Sequence, residues 1–361
     1  MKKLILFELR KVFSKRLSLI VLVGILLFSV LISFSTYQNK YAFDGVSAEG
    51  SGKTAVEIDK EIAAKYEGIL TDEKVQQMMS DFAPTSPTSD LHGLSAIYVY
   101  QNAMQSAAFS RFSDKEGNWN GLSVSDVFGN EEIKIGYVDG WLSTSKNMVR
   151  VFIVLALAVI IMLAPIFSGE YEGVDNIILT SKYGKTKCAT AKVVAGIITA
   201  ILTTTLIAAF NLLLAFVFYG TEGLDCSILF APSDYVEAFI PFNITCGTLL
   251  KYQILLAFTC TLSVTGITLF LSAISKNQIV AFVASMAIFL FPVLLPITEA
   301  NPLFRLIGLL PLHHVQAVSL LSVEQMSNGM LYAVWAIPTA LLFLGIGAVI
   351  SRRVFAKHQV S

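Results

Sequence analysis

The stretch Leu17–Phe34 reads LSLIVLVGILLFSVLISF, and the six residues before it, Lys11–Arg16, read KVFSKR. The longer stretch has no charged side chain, and it has the ~17–25 residues that a helix needs to cross a hydrocarbon core ~30 Å thick. A cleaved signal peptide is the alternative interpretation, but such signals have a shorter apolar run of about 7–15 residues. We therefore expect a retained membrane-spanning helix here.

Five further stretches of the chain are similarly apolar. Of the 361 residues, 55% are hydrophobic and 14% are charged, whereas a soluble domain has about 25% charged residues. The sequence therefore predicts an all-α polytopic membrane protein of six transmembrane helices, with a mainly helical extracellular insert between the first two. The predicted spans are residues 17–36, 148–168, 193–219, 251–273, 279–297 and 330–350.

The orientation in the membrane is predicted from the basic residues. Lysines and arginines are concentrated in residues 1–16, 169–192 and 351–361, whereas residues 220–250 have neither. Because basic segments stay on the inner side of a membrane, both termini are expected to be cytoplasmic. Residues 351–361 then form a cytoplasmic tail, and residues 220–250 form an extracellular loop.

Residues 1–16 are predicted to form a cytoplasmic amphipathic helix lying on the membrane. Its apolar side chains share one side, at Ile5, Leu9, Val12 and Phe13. The alternative is a basic segment that only sets the topology.

The extracellular insert is predicted to span residues 37–147, which contain nine basic and sixteen acidic residues. Thr54 and Glu57 fit a capping box for a first helix, and Thr71 is a candidate cap for a second. A longer helix is expected over residues 91–112. Residues 298–329 are also apolar, but they are interrupted by charged and proline residues, which favours an extracellular re-entrant region over a seventh span.

Two cysteines, Cys226 and Cys246, lie twenty residues apart in the predicted extracellular loop. On an oxidising side of a membrane they are candidates for a disulfide bond. Two independent free thiols are the alternative.

The sequence offers no pattern typical of an enzyme. It has neither an H-E-x-x-H nor a G-x-S-x-G motif, and its zero net charge leaves no basic stripe for a nucleic acid. Gly184, Lys185 and Thr186 resemble the end of a phosphate-binding loop, but the first glycine that the loop requires is replaced by Leu179. No metal site is predicted, because the adjacent pair His313–His314 cannot share one helix face.

Residues 169–192 form a predicted cytoplasmic loop that is too long and too polar for a tight turn. Acidic side chains come first, at Glu170 and Glu172, and lysines come last. This order suits a short helix, because it complements the helix dipole. Such a helix presents Ile178 and Leu179 to a partner; a solvated linker is the alternative.

This arrangement resembles the permease subunit of bacterial ABC-2-type exporters. That family has an amphipathic helix before the first span, an apolar hairpin before the last, and a loop pattern close to E-x-E-x-G followed by Ile/Leu, Ser/Thr, a turn and Lys. The positions similar to that pattern are Glu170, Glu172, Gly173, Ile178, Leu179, Thr180, Gly184 and Lys192. The family's proline in the turn is missing, since Ser181, Lys182 and Tyr183 stand there.

The resemblance implies an ATP-driven exporter in the bacterial plasma membrane, built from two identical or related permease subunits and two separate ATPase subunits. ATP and Mg²⁺ then belong to the ATPase, and this chain is expected to have no cofactor, no metal and no catalytic residue. The implied substrate is amphipathic: a peptide, a lipid or a drug. The residues expected to dock on the ATPase are Glu170, Glu172, Gly173, Ile178, Leu179, Thr180, Gly184 and Lys185.

Two other classes of function compete with this interpretation. One is a membrane-anchored sensor or accessory protein whose extracellular domain binds a ligand. The other is a secondary carrier, which is disfavoured because the cores of the predicted spans lack the ionisable side chains that mark ion paths; Arg150 and Lys251 lie at span edges.

Overall fold

A computed structural model describes residues 1–82, 102–115, 117–171, 186–232, 242–294, 304–316 and 332–357. The chain divides into two compact units. Unit 1 consists of Met1–Ser29, Met148–Phe210 and Tyr252–Ser361, and unit 2 consists of Val30–Asn147 and Asn211–Lys251.

The described residues are mainly helical. In chain order the helices are α1 (Lys2–Phe13), α2 (Arg16–Gln38), α3 (Lys53–Tyr66), α4 (Asp72–Asp81), α5 (Ala103–Phe112), α6 (Val124–Phe128), α7 (Asp139–Leu163), α8 (Pro165–Ser168), α9 (Thr186–Tyr219), α10 (Cys246–Ile274), α11 (Gln278–Leu290), α12 (Phe304–Gly308), α13 (Pro311–His314) and α14 (Tyr332–Lys357). The strands are β1 (Tyr41–Phe43), β2 (Glu49–Ser51), β3 (Gly68–Ile69) and β4 (Lys134–Ile135).

Five of the described helices are long and apolar enough to cross a membrane: Arg16–Gln38, Asp139–Ser168, Thr186–Tyr219, Cys246–Ile274 and Ala333–Lys357. They agree with an all-α membrane protein and occur where the first four spans and the last span are predicted. At the predicted fifth span the structure has a shorter apolar helix, Gln278–Leu294. The rest of that span lies outside the described residues, so a sixth crossing stays a prediction.

The membrane helices differ in how much of each the chain itself covers. The spanning parts of α7 and α10 are 72% and 67% buried, whereas those of α2 and α14 are each 17% buried. Helices α7 and α10 are therefore central, and α2 and α14 leave most of their apolar sides to the surroundings. Helix α9 has 34 residues and is about 50 Å long, more than a hydrocarbon core requires.

Small and polar side chains let the helices of unit 1 approach one another. A Cβ atom on Gly266 of α10 would lie 2.2 Å from the Phe343 carbonyl oxygen of α14. Only glycine permits this backbone-to-backbone contact, which is typical of membrane helix pairs. Between α9 and α10, the hydroxyl oxygens of Thr204 and Thr261 form a hydrogen bond of 2.9 Å.

Unit 2 has an apolar core between α3, α4 and α5. Two small antiparallel sheets lie beside it: β1 pairs with β2, and β3 pairs with β4. The largest fully buried side chains of this core include Tyr66, Met78, Phe112, Ile133 and Ile135.

Two local predictions for unit 2 need correction. The capping box at Thr54 is wrong, because α3 begins at Lys53 with Gly52 as its N-cap. Gly52 has a φ of +61° and its N–H donates to the Lys40 carbonyl oxygen, so the β-hairpin leads directly into the helix. The long helix predicted over 91–112 is confirmed for Ala103–Phe112, but it does not extend through Asn102, which is extended and caps α5 by accepting from the Gln105 N–H. Residues 91–101 lie outside the described residues. By contrast, Thr71 caps α4 as predicted, by accepting from the Lys74 N–H.

Candidate functional site

Most of the predicted docking residues lie in residues 172–185, outside the described residues. They are Glu172, Gly173, Ile178, Leu179, Thr180, Gly184 and Lys185. The exception is Glu170, which lies near the end of the segment that leads from α7 into this range. We call residues 164–171 the anchor segment, and its contacts define the candidate site.

Helix α7 ends where Pro165 interrupts its backbone hydrogen bonds, since proline has no N–H to donate. The buried Ser272 of α10 takes the place of the missing helical partners. Its hydroxyl oxygen accepts from the backbone N–H groups of Phe167 and Ser168, at 3.0 and 3.2 Å. The same hydroxyl donates to the Ala164 carbonyl oxygen at 2.6 Å. One side chain thus restores the bonds lost at the break and fixes it to α10.

Lys192 of α9 is fully buried and also binds the anchor segment. Its ammonium nitrogen lies 2.6 Å from Glu170 Oε1, 3.0 Å from Glu8 Oε2 and 3.0 Å from the Ile166 carbonyl oxygen. A lysine ammonium has three N–H donors, so these contacts use all of them. The charge is therefore fully paired inside the protein.

The pairing extends to α1, because Lys11 also forms an ion pair with Glu170 Oε1. We call Glu8, Lys11, Glu170 and Lys192 the Lys192 cluster; it holds two positive and two negative charges. An unpaired charge in such a place costs several kcal/mol. The balanced cluster avoids this cost and joins three separate parts of unit 1: α1, the anchor segment and α9.

Aromatic side chains also contact the anchor segment. The Phe167 and Phe355 ring centroids lie 5.2 Å apart, and those of Tyr171 and Phe355 lie 6.1 Å apart. The Tyr171 hydroxyl donates to the Ala273 carbonyl oxygen at 2.7 Å. Helices α1, α9, α10 and α14 therefore all contact the short segment that precedes residues 172–185.

The structure gives Glu170 a position that differs from an exposed docking residue. Only 2% of its surface is exposed, and its partners lie within the chain. Sequence reasoning missed its partners Lys11 and Lys192, and it missed Glu8, which shares Lys192 with Glu170. A signal was present, because Glu8 is the only acid among six basic residues in 1–16. It lies four residues before Val12, on the side that packs inward.

A second cluster of charges lies in unit 2. Lys40 Nζ is 2.8 Å from Asp59 Oδ2 and also pairs with Asp139. Burial alone would lower the pKa of Lys40, but the carboxylates of Asp139 and Asp59 outweigh burial and hold that pKa well above its usual value. Beside Asp59 and Tyr137 is a cavity of about 10 Å³, which has room for about one water molecule. This cavity is too small for an organic ligand.

The two loop cysteines are neighbours in unit 2. The Cys246 N–H donates to the Cys226 carbonyl oxygen at 3.0 Å, next to the antiparallel bridge between Ser227 and Thr245. Both thiols are buried and unbonded, and burial raises the pKa of the Cys226 thiol to about 11. The fold thus brings together the pair that the sequence suggested for a disulfide.

Among the described residues, no group of three or more His, Cys, Asp or Glu side chains could hold a metal ion. The neighbouring histidines make separate contacts: His314 Nε2 lies 3.1 Å from the Leu309 carbonyl oxygen, and His313 Nδ1 lies 3.4 Å from Gln316 Oε1.

A scan against protein-family models finds none that matches the chain, and a search of curated proteins finds no match either. The assignment of a function therefore depends on the sequence pattern and on the geometry of the anchor segment.

Proposed function

We propose that the chain is the permease subunit of an ATP-driven exporter of the ABC-2 type in a bacterial plasma membrane. It moves an amphipathic substrate, such as a peptide, a lipid or a drug. The energy comes from a separate ATPase subunit, which binds ATP and Mg²⁺. Both termini and residues 172–185 face the cytoplasm, and a second identical or related permease completes the transporter.

The observation that best supports this proposal is the attachment of the anchor segment. A soluble motor can move membrane helices only if its docking segment is stiffly connected to them. Here the residue before the predicted docking segment, Tyr171, bonds to α10, and Glu170 bonds to α9 and α1. A pull on residues 172–185 is thus passed to four helices at once.

ATP binding can drive transport only if nucleotide favours one conformation of the membrane helices over another. In the proposal, Ile178 and Leu179 supply the apolar contact with the ATPase, and Glu172 and Lys185 supply charged contacts. Glu170 acts differently, because it holds the start of the docking segment in place from inside the chain.

The proposal is tested by capturing an ATPase subunit from membranes of the source bacterium, using an epitope inserted in the exposed turn of residues 129–131. Wild type should capture an ATPase subunit, and the captured complex should hydrolyse ATP. Leu179→Asp and Glu172→Lys should insert normally but lose the ATPase. The matched controls Leu122→Asp and Glu61→Lys change exposed residues of unit 2 outside the epitope and should retain it. Equal capture by all five proteins would refute the docking assignment.

A sensor or accessory protein is the second candidate, because unit 2 is compact and has its own apolar core. In that case no ATPase should be captured even by wild type. Ion-driven flux in vesicles without ATP would instead indicate a carrier.

A further inference from the structure

Helix α1 is attached to unit 1 through a narrow contact. It has 12 residues, too few for a stable isolated helix in water. Within it only Glu8 and Val12 are buried, while Leu6 and Phe7 are exposed. Its position therefore depends strongly on two ionic contacts, the buried bond between Glu8 and Lys192 and the partly exposed pair between Lys11 and Glu170.

Lys192 is also the residue that fixes the anchor segment, through Glu170 and the Ile166 carbonyl oxygen. This buried ammonium group thus connects the N-terminal helix to the segment that leads into residues 172–185, beside the partly exposed pair between Lys11 and Glu170. Helix α2, a membrane-spanning candidate, begins at Arg16, only three residues after α1 ends at Phe13. A movement of the anchor segment can therefore be transmitted through α1 to α2 without passing through α7.

We infer that Lys192 is a positioning residue that makes α1 and the anchor segment move as one piece, so that the N-terminal helix is part of the coupling path. This inference rests on the proposed function. Without Lys192, the carboxylates of Glu8 and Glu170 repel each other, and of the cluster contacts between α1 and the anchor segment there remains the pair between Glu170 and Lys11, whose side chain is 37% exposed. Helix α1 is then held more loosely against the anchor segment.

The chain contains a reporter for this contact. Cys188 lies one helical turn before Lys192 on α9, and its sulfur is 4.0 Å from Glu8 Oε1. Only 9% of Cys188 is exposed. A thiol reagent should reach Cys188 faster when α1 separates from α9.

The first experiment compares Lys192→Met and Glu8→Gln with wild type in lipid nanodiscs. Lys276→Met, which removes an exposed lysine, is the control. Maleimide labelling of Cys188 and hydrogen exchange of the amides in residues 2–13 are both followed by mass spectrometry. We expect both rates to rise at least about tenfold in the two variants, because each removes one charge of a buried ion pair. Unchanged amide exchange would overturn the inference.

Amide exchange is the deciding measurement, because removing the Glu8 carboxylate also changes the surroundings of the thiol. Glu8→Gln decides if Lys192→Met fails to insert, since this variant keeps the pair between Lys192 and Glu170.

The second experiment adds ATP to the captured complex. In wild type, ATP should change the amide exchange of residues 2–13. Glu8→Gln should still capture the ATPase but lose this response. If the response persists in Glu8→Gln, the inference fails and the proposed function stands. If wild type captures no ATPase, the proposed function fails, and the coupling role of α1 fails with it.

Discussion

Gly347 of α14 lies against Gly266 of α10 so closely that a Cβ atom on Gly347 would be 2.1 Å from the Gly266 carbonyl oxygen. Any larger side chain must push the two helices apart. We expect Gly347→Val to lower the free energy of unfolding by about 1–3 kcal/mol through overpacking. Gly345→Val is a matched control in the same helix, because nothing lies within 4 Å of its Cβ position. Equal unfolding temperatures for the two variants would contradict the close crossing.

The Lys192 cluster predicts a rescue experiment on stability. Lys192→Met leaves two buried carboxylates without their main partner and should cost about 3–5 kcal/mol of unfolding free energy. Adding Glu8→Gln and Glu170→Gln removes the uncompensated charges while keeping the side-chain shapes. The triple variant should therefore unfold at a temperature much closer to wild type than the single variant. A triple variant less stable than Lys192→Met would show that the charges are not what destabilises it.

Ser272 predicts a local loss of stability at the break after α7. Ser272→Ala leaves the N–H groups of Phe167 and Ser168 without their side-chain acceptor, which should cost about 1–3 kcal/mol. Amide exchange at these two positions should accelerate. Ser275→Ala, three residues further along and half-buried, is the control and should leave their exchange unchanged.

The loop cysteines predict a disulfide in protein taken from an oxidising side of the membrane. Residues paired across antiparallel strands have Cα atoms about 4.5–5.5 Å apart, a distance that a disulfide can bridge. The bond forms by exchange with a disulfide-bearing oxidant, which leaves as two thiols. Closing this twenty-residue loop should contribute about 3 kcal/mol by restricting the unfolded chain.

The measurement is alkylation of denatured protein without a reducing agent, followed by peptide mapping. Cys188 and Cys260 should be modified, whereas Cys226 and Cys246 should appear as one linked peptide. Full modification of all four thiols would mean that the loop is not bridged.

Lys40 predicts a dependence of stability on alkaline pH. Its folded-state pKa is raised, so its contribution is complete below the unfolded pKa of about 10.4 and is lost as pH rises through the folded value. Wild type should therefore lose more unfolding free energy between about pH 7 and pH 11 than Lys40→Met does. Lys53→Met, which removes a mostly exposed lysine, should lose as much as wild type. Parallel pH curves for wild type and Lys40→Met would exclude this role.

The apolar membrane helices could be predicted because composition alone determines whether a segment is stable in hydrocarbon. Their contacts could not be predicted in the same way. Gly266 and Gly347 are typical small residues of membrane helices, and nothing in their spacing shows that they meet. Likewise, Glu8 and Lys192 are far apart in the sequence, and only the packing of α1 on α9 brings them together.

The incorrect predictions in unit 2 also have a physical cause. Thr54 has the residue type and spacing of a cap, but the hairpin before it supplies the helix start at Gly52. The local sequence was sufficient at Thr71, where no neighbouring element supplies another start for the helix. At the candidate site, the sequence pattern includes Glu170, but Glu170 is paired with side chains of two distant segments, α1 and α9, that no local pattern reveals.

Helices α2 and α14 leave most of their apolar sides uncovered by the chain. Acyl chains or a neighbouring protein must complete their packing, so the environment contributes directly to the fold. Short-chain detergents fill such grooves poorly, and these two helices should loosen first when annular lipid is stripped away. Helix α14 also carries Phe355, which packs on the anchor segment. Removal of lipid should therefore weaken the contacts of the anchor segment while the more buried helices α7 and α10 stay folded.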